Sequence, residues 1–255
     1  MKTTYYKALR PDLRSFYDRT TVWKLGEPMP PIEGAPGEVC ELGYHLAKTI
    51  EDAVNYTGFP LRLFEAEPCG ALLGENDKRA RFTSVRIIRE IPKPEWIIRV
   101  ERFLDSLKTI RWFENHEAPR EDWELFPTRS DAAKEVSGSS WDETRSNVEM
   151  KALVAAKRSG RGGAFNIAES TAGIMATTEI GVDGESLDPK ERYLRINAAR
   201  DAAEDALLTA GVEVVSDLPD SKDLWDYAWK RWEVWVRGYG LLRDEDGIFY
   251  VYRKP

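Results

Sequence analysis

His45, in the stretch CELGYHLAKTIEDAVNY (40–56), is one of the two histidines in this chain of 255 residues. A neutral imidazole can act as a general base near pH 7 or hold a ribose hydroxyl. On a strand, His45 would share a face with Gly43, while Tyr44 and Leu46 would point the other way. The alternative is a structural strand histidine whose hydrogen bonds are satisfied.

Two carboxylates form a second candidate site. Glu65 and Glu67 are two positions apart in LRLFEAEPCG (61–70), so both would lie on one face of a strand. Neighbouring carboxylates can push their pKa values apart and divide acid and base roles. The same spacing is also typical of a solvated strand face. A serine nucleophile is not indicated, because STAG (170–173) lies within a helical pattern.

Charge is unevenly distributed along the chain. Residues 77–111 contain ten basic and five acidic side chains, so this segment has a net charge of +5. The whole chain has a net charge of −7, and the remaining residues therefore carry −12. A basic face on an acidic protein can steer a phosphate-bearing ligand towards it. The alternative is an ordinary solvated surface. The overall negative charge argues against a protein that coats nucleic acid.

Metal and phosphate-loop motifs are not indicated. The only cysteines are Cys40 and Cys69, no C-x-x-C pair occurs, and two histidines are too few for a typical zinc site. GRGG (160–163) lacks the phosphate-loop pattern and fits the end of a helix better. Tryptophans at helical spacing in residues 220–240 favour a buried core face over a stacking platform.

The elements that must position these residues are strands in the first hundred residues. Thr49 is predicted to cap a short helix, with Asp52 forming a capping box and Gly58 and Pro60 ending the helix. Alternating or β-branched residues predict five strands. Their sequences are TTYYKALR (3–10), TVWKLGE (21–27), EVCELGYHLAK (38–48), LRLFEAEPCG (61–70) and ARFTSVRIIREI (80–91).

The pattern then changes to a helical period. The helices are predicted at 95–113, 139–158, 164–180, 188–211 (with Asp188 as N-cap) and 220–240, and DEDG (244–247) predicts a terminal β-hairpin. The predicted class is therefore α+β. An N-terminal β-rich domain with mixed or antiparallel strands (1–112) is joined by a linker (113–140) to a helical domain ending in the hairpin (141–255). No apolar run approaches the roughly 20 residues of a membrane span, and a cytoplasmic protein is expected.

Three segments together resemble a known but uncharacterised domain. YYKALRPDLRS (5–15), CELGYHLAKTIEDAVNY (40–56) and RLFEAEPCGALLGENDKRARFTSVRIIREI (62–91) are similar in order and spacing to a domain of bacteriophage and bacterial genomes. The resemblance covers about residues 5–92. It implies a phage-associated protein and names no reaction.

A more distant resemblance suggests a reaction. Tyr6-Lys7-Ala8-Leu9 and Gly43-Tyr44-His45-Leu46-Ala47, followed by Ala53 and Tyr56, resemble the first strands and short helix of ADP-ribosyltransferase-like folds. Such folds hold NAD with a first-strand histidine or arginine, stack nicotinamide on an aromatic ring and orient the ribose with a late-strand glutamate. This chain has a lysine at the first of those positions.

The resemblance assigns roles to six residues of this chain. Lys7 or Arg10 would contact phosphate, Tyr44 and His45 would line the nicotinamide–ribose pocket, and Glu67 or Glu90 would polarise the ribose hydroxyl. NAD is then the expected cofactor and ADP-ribose transfer the expected activity, with a nucleotide or a host or phage protein as partner. A non-catalytic interaction or structural protein of a phage is one alternative. A nucleic-acid-binding module using residues 77–111 is the other.

Overall fold

The described parts of the chain confirm the α+β class. A computed structural model describes residues 3–33, 42–108, 124–126, 145–178, 189–236, 239–243 and 249–253. A six-stranded antiparallel sheet is followed by helices and a three-stranded sheet. The chain divides into two compact units, the first being Met1–Ile98 with Ala156–Ile167 and the second Arg99–Ala155 with Ala168–Pro255.

The first unit is built on the six-stranded sheet, whose strand order is β4-β5-β2-β1-β3-β6. Helix α1 follows β2, and Thr49 caps it as predicted, because its side chain accepts the Asp52 N–H. The elements are β1 (Tyr5–Leu9), β2 (Tyr44–Ala47), α1 (Ile50–Val54), β3 (Arg62–Pro68), β4 (Leu72–Glu75), β5 (Arg79–Phe82) and β6 (Val85–Ile91).

One face of this sheet carries the hydrophobic core, which we call the core face. Because side chains alternate along a strand, β1, β2, β3, β5 and β6 direct every second residue towards this core. The loop between β1 and β2 contributes Trp23 and Met29 to it. The buried members are Tyr5, Leu9, Trp23, Met29, Leu46, Phe64, Ala66, Ala80, Phe82, Val85 and Ile87. We call the other side of the sheet the α1 face, because α1 follows β2 on that side.

Two strand predictions were wrong in detail. Residues 21–27 form only an isolated bridge, between Val22 and Arg14, and the segment then leaves this partner: Gly26 N–H donates to the Ile87 carbonyl of β6 at 2.9 Å. Residues 80–91 form two strands rather than one. The chain turns at Thr83, whose backbone N–H and Oγ1 both bond to Ala71, at 3.0 and 2.9 Å.

Helices dominate the later part of the chain, as predicted. The prediction of Asp188 as an N-cap lies outside the described residues, as does the predicted helical end at 109–113. The helix expected to end at Gly211 continues to Glu213. These helices are α2 (Glu95–Leu107), α3 (Arg145–Arg158), α4 (Gly162–Thr178), α5 (Pro189–Glu213) and α6 (Lys222–Val236).

The terminal hairpin is confirmed and belongs to a larger sheet. Strands β8 (Tyr239–Arg243) and β9 (Phe249–Arg253) pair antiparallel, and β7 (Glu124–Phe126) pairs with the other side of β9. The strand β7 lies within residues 113–140, where the sequence predicts only a linker. A strand of three residues is too short to show a recognisable alternation of apolar and polar side chains. Its partner strand β9 is also far away in the sequence, so no local signal indicates the pairing.

Packing in the second unit relies on small residues and on tryptophan. A Cβ on Gly173 of α4 would lie 3.2 Å from Leu207 Cδ2 of α5, so the two helices approach closely there. Trp232 is fully buried and its ring meets Phe103 edge-on, 5.2 Å between centroids. The predicted burial of the tryptophan face of α6 is therefore confirmed at Trp232. Within the described residues, no helix is long and apolar enough to cross a membrane.

Candidate functional site

His45 lies on the α1 face of the sheet, opposite the core face. Its strand neighbours Tyr44 and Leu46 pack with the core, so alternation directs His45 the other way. The cross-strand partner of His45 is Arg81 on β5. Gly43 precedes this strand with φ +155°, and a Cβ there would lie 2.3 Å from Arg81 Cγ. The glycine is therefore required because the arginine stem passes directly over it.

Arg81 holds the start of β2 in place. Its side chain is 1% exposed, and its guanidinium donates to the Leu42 carbonyl at 2.6 Å and to the Leu73 carbonyl at 3.3 Å. A buried guanidinium requires such acceptors, since an unsatisfied charge is costly inside a protein. Arg81 of β5 therefore links the segment before β2 to strand β4, directly beside His45.

A small cavity of about 80 Å³ lies beside His45. Three strands and the segment of α1 form its walls. The lining residues are Tyr6, Lys7 and Ala8 of β1, His45, Leu46 and Ala47 of β2, Asp52 and Ala53 of α1, Tyr56 and Thr57 after it, and Arg79 of β5. The polar groups on this wall are one imidazole, two phenols, one guanidinium, one carboxylate and one hydroxyl, a set suited to a small polar ligand.

Arg79 and Tyr56 form a stacked pair on the cavity wall. The guanidinium carbon of Arg79 lies 4.4 Å from the centroid of the Tyr56 ring, within the range of a cation–π contact. Tyr56 is 56% exposed, so its ring also faces solvent. The stack holds the Arg79 guanidinium against an aromatic face while Tyr56 remains accessible to a ligand.

A row of directly paired residues runs across five strands of the α1 face. The register pairs Arg79 with Ala47, Ala47 with Tyr6, Tyr6 with Glu65, and Glu65 with Arg89. Tyr6 therefore stands between the cavity and an acidic–basic pair. Arg89 donates to both oxygens of Glu65, at 2.8 and 2.5 Å, and these hydrogen bonds lower the pKa of the Glu65 carboxyl.

Asp52 is the acidic side chain on the described lining. Its Oδ2 accepts from the Thr49 hydroxyl at 2.8 Å while its N–H donates to Thr49 Oγ1 at 3.1 Å, so the two predicted capping residues bond to each other through the Thr49 hydroxyl. The carboxylate is thus anchored at the first turn of α1, facing the cavity that His45 and Arg79 also line.

Lys7 lines the cavity through β1, but its ammonium group is on the core face. Lys7 Nζ lies 4.9 Å from the Trp23 ring centroid and donates to the His45 carbonyl at 3.2 Å. Burial lowers the pKa of Lys7 to about 8, and the carboxylate of Asp18 opposes that shift. The ammonium and the imidazole are therefore on opposite sides of the sheet.

Arg10 and Tyr44 do not belong to the cavity lining. Arg10 Nε lies 3.8 Å from the Asp12 carboxylate. The Tyr44 hydroxyl donates to the Pro30 carbonyl at 3.0 Å, and its ring meets Trp23 edge-on at 5.9 Å on the core face. Burial raises the pKa of Tyr44, and the nearby Asp18 carboxylate adds to the shift.

The two candidate glutamates are held in ion pairs outside the cavity lining. Arg86 Nε donates to Glu67 Oε1 at 2.7 Å. Arg62 donates to both oxygens of Glu90, at 2.9 and 2.5 Å, and these hydrogen bonds lower the pKa of the Glu90 carboxyl. Of the six residues that the resemblance assigns, the structure brings His45 and the backbone of Lys7 to one cavity.

Several lining residues are already notable in the sequence, but each for a different reason and none as part of one site. Asp52 is predicted as the capping-box partner of Thr49, Arg79 belongs to the basic segment, and Tyr6 and Tyr56 lie in the motifs of the distant resemblance. Periodicity could not group them, because it gives the face of each element and not the pairing between elements.

The described residues include no group of three or more His, Cys, Asp and Glu side chains that could hold a metal ion. Cys69 is an exposed free thiol. Comparison with known proteins adds no relative: no family model, no curated protein and no solved structure matches the chain. Function is therefore inferred from the residues of the cavity itself.

Proposed function

We propose that the first unit binds a phosphate-bearing nucleotide at the cavity beside His45, with ADP-ribose or NAD as the candidate ligand. The observation that carries the proposal is the Arg79–Tyr56 stack on the same wall as His45. A guanidinium offers a planar set of N–H donors that suits phosphate oxygens. The accessible face of Tyr56 can stack on a base or a nicotinamide ring.

The size of the cavity defines how such a ligand would bind. Its volume of about 80 Å³ is well below the roughly 300 Å³ at which pockets begin to enclose a whole drug-sized molecule. A phosphate or part of a ribose fits inside. The remainder of a dinucleotide would lie outside, against the exposed ring of Tyr56. In this arrangement Arg79 and His45 bind the inserted group, and Tyr56 orients the part outside.

We propose binding without transfer as the primary function. Transfer of ADP-ribose needs a carboxylate close to the positive charge that develops on the ribose. Glu67 and Glu90 are engaged by Arg86 and Arg62 and are not among the lining residues. Asp52 is the carboxylate on the described lining, so its replacement is the appropriate test for any transfer activity.

The other functions expected from the sequence receive less support. The resemblance to a phage and bacterial domain is compatible with a nucleotide-binding module and equally with an interaction protein. Nucleic-acid binding by residues 77–111 needs unneutralised charge, yet Arg86 and Arg89 are paired with Glu67 and Glu65. The cavity is therefore the better-supported site.

Calorimetric titration of the whole chain with ADP-ribose, NAD and AMP tests the proposal. We expect Arg79→Ala to weaken ADP-ribose binding by at least about tenfold, because hydrogen bonds to a charged group contribute roughly 1.5–3 kcal/mol. His45→Ala should weaken it in the same direction. Arg62→Ala is the matched control, since it removes an arginine that lies outside the cavity lining.

Two further measurements separate the alternatives. The concentration of NAD should stay constant during incubation with the wild-type chain and with Asp52→Asn; NAD consumption that Asp52→Asn abolishes would show transfer chemistry instead. Absence of heat with every nucleotide would overturn the proposal. Oligonucleotide binding that weakens steeply with salt and ignores Arg79→Ala would favour a nucleic-acid module.

A further inference from the structure

Asn55, directly after α1, is bonded to a turn more than a hundred residues away in the sequence. Its Nδ2 donates to the Gly160 carbonyl at 2.6 Å, and its Oδ1 accepts the Ala164 N–H at 2.9 Å. Both partners belong to the segment Ala156–Ile167 of the first unit. One side-chain amide therefore bonds both to Gly160, in the turn between α3 and α4 (residues 159–161), and to Ala164, in the first turn of α4.

The motif GRGG (160–163) spans the end of this turn and the start of α4. Gly160 has φ +76°, a left-handed conformation that ends α3, and Arg161 N–H returns to the Ala156 carbonyl at 2.7 Å. The first amides of α4 then have no partner within their own helix. Asn55 Oδ1 supplies one of the missing acceptors, so the prediction of a helix end at GRGG is confirmed and Asn55 completes the junction.

Gly163, in the first turn of α4, allows that helix to approach Asn55. A Cβ on Gly163 would lie 2.6 Å from the Asn55 carbonyl oxygen and 2.8 Å from Asn55 Cβ. Because the first of these is a backbone atom, the clash could not be relieved by rotating a side chain. The backbone of Asn55, directly after α1, and the backbone at the start of α4 are therefore in direct contact.

Asn55, which we call the anchor, lies next to the cavity wall. Tyr56 and Thr57, which follow Asn55, line the cavity, and so do Asp52 and Ala53 just before it. Thr57 is tied back to α1, because its Oγ1 donates to the Val54 carbonyl at 2.8 Å. Asn55 and Tyr56 are consecutive residues, so a single peptide unit connects the anchor to the residue whose ring stacks on Arg79.

We infer that Asn55 is a positioning residue, which through the α3–α4 turn holds Tyr56 against Arg79 and so sets the affinity of the cavity for its anionic ligand. This inference rests on the proposed function for the identity of the ligand. It also has a consequence for regulation: since coupling between sites is reciprocal, a bound ligand tightens the turn. Conversely, any change that displaces the turn should weaken the binding of the ligand.

Two glycine variants provide a matched test. Gly163→Ala displaces the start of α4 from Asn55, whereas a Cβ on Gly162 meets only Lys157, whose side-chain Cγ is the nearest atom at 3.0 Å. We expect Gly163→Ala and Asn55→Ala to weaken ADP-ribose binding by about tenfold, by removing two hydrogen bonds and the orientation of Tyr56. Gly162→Ala should bind like the wild type. Asn55→Asp keeps an acceptor for Ala164 N–H and should restore part of the affinity.

Hydrogen exchange of residues 50–57 gives a readout that needs no ligand. Exchange there should be faster in Asn55→Ala and Gly163→Ala than in Gly162→Ala, below the melting temperature of each. Unchanged exchange would overturn the inference, and so would unaltered ADP-ribose affinity in a variant whose melting temperature falls. If the wild-type chain binds no ADP-ribose, the proposed ligand is wrong, while exchange still decides the positioning role.

Discussion

Arg231 of α6 and Asp205 of α5 form an ion pair that is almost completely buried in the second unit. Arg231 Nε and Nη2 lie 2.8 and 2.7 Å from Asp205 Oδ1, and the two side chains are 2% and 0% exposed. Desolvating two charges is costly, and good hydrogen-bond geometry is what offsets that cost. Removing either partner while the other stays buried would therefore leave an uncompensated charge between α5 and α6.

We expect Asp205→Ala to lower the free energy of unfolding by about 3–5 kcal/mol, because it leaves the Arg231 guanidinium buried without its carboxylate. Urea denaturation measures the loss. Asp226→Ala is the control, since it removes an exposed ion pair with Lys222 on the same helix and should cost less than about 1 kcal/mol. Equal losses in the two variants would contradict the importance of burial.

Gly43→Ala should destabilise the first unit through a steric clash. The new Cβ would lie 2.3 Å from Arg81 Cγ and 2.7 Å from Arg81 Cδ. Since the Arg81 guanidinium is fixed by two carbonyls, we expect a loss of about 2–3 kcal/mol, the size typical of core overpacking. Thermal unfolding of Gly43→Ala and of the wild-type chain measures this loss of stability.

Gly26→Ala is the control for Gly43→Ala. Gly26 has φ +77° and nothing within 4 Å of its Cβ position, so only backbone strain opposes the substitution. We expect that strain to cost about 1 kcal/mol. A loss at Gly43 no larger than the loss at Gly26 would show that the Arg81 stem moves aside without penalty.

The lowered pKa of Lys7 predicts that stability rises with pH in the alkaline range. Burial lowers this pKa to about 8 from an ordinary value of 10.5, so between these values the unfolded chain binds more protons than the folded one. The free energy of unfolding should therefore rise from about pH 8 to about pH 10, by up to roughly 3 kcal/mol. Lys7→Met should flatten this rise; an identical pH profile in the variant would contradict the assignment.

Glu169 of α4 predicts the opposite trend at lower pH. Burial raises the pKa of its carboxyl to about 7 from 4.5, and the carboxylate of Glu149 adds to the shift while Arg145 opposes it. The folded chain then holds a proton that the unfolded chain releases, so stability should fall as pH rises from about 4.5 to about 7. Denaturation across this range should show the fall, and Glu169→Gln should remove much of it. A fall of the same size in Glu169→Gln would assign it to other groups.

Local pattern was enough to predict much of the architecture. The Thr49–Asp52 cap, the amphipathic start of α2, the glycine end of α3 and the terminal hairpin depend on residues close together in the sequence. Strand alternation likewise separates His45 from Tyr44 and places them on opposite faces. What failed was the break at Thr83, because a β-rich run of residues contains no local sign of hydrogen bonds to the distant Ala71.

The candidate site was less predictable, because it depends on which elements become neighbours. By itself the sequence determined the type and face of most of the elements, and it made His45, Glu67 and Glu90 chemically plausible. Only the tertiary structure decided that Glu67 meets Arg86, that Glu90 meets Arg62, and that Arg79 stacks on Tyr56 beside His45. The physical reason is that side-chain periodicity specifies orientation within a strand or helix, whereas strand order and register arise from the packing of the whole unit.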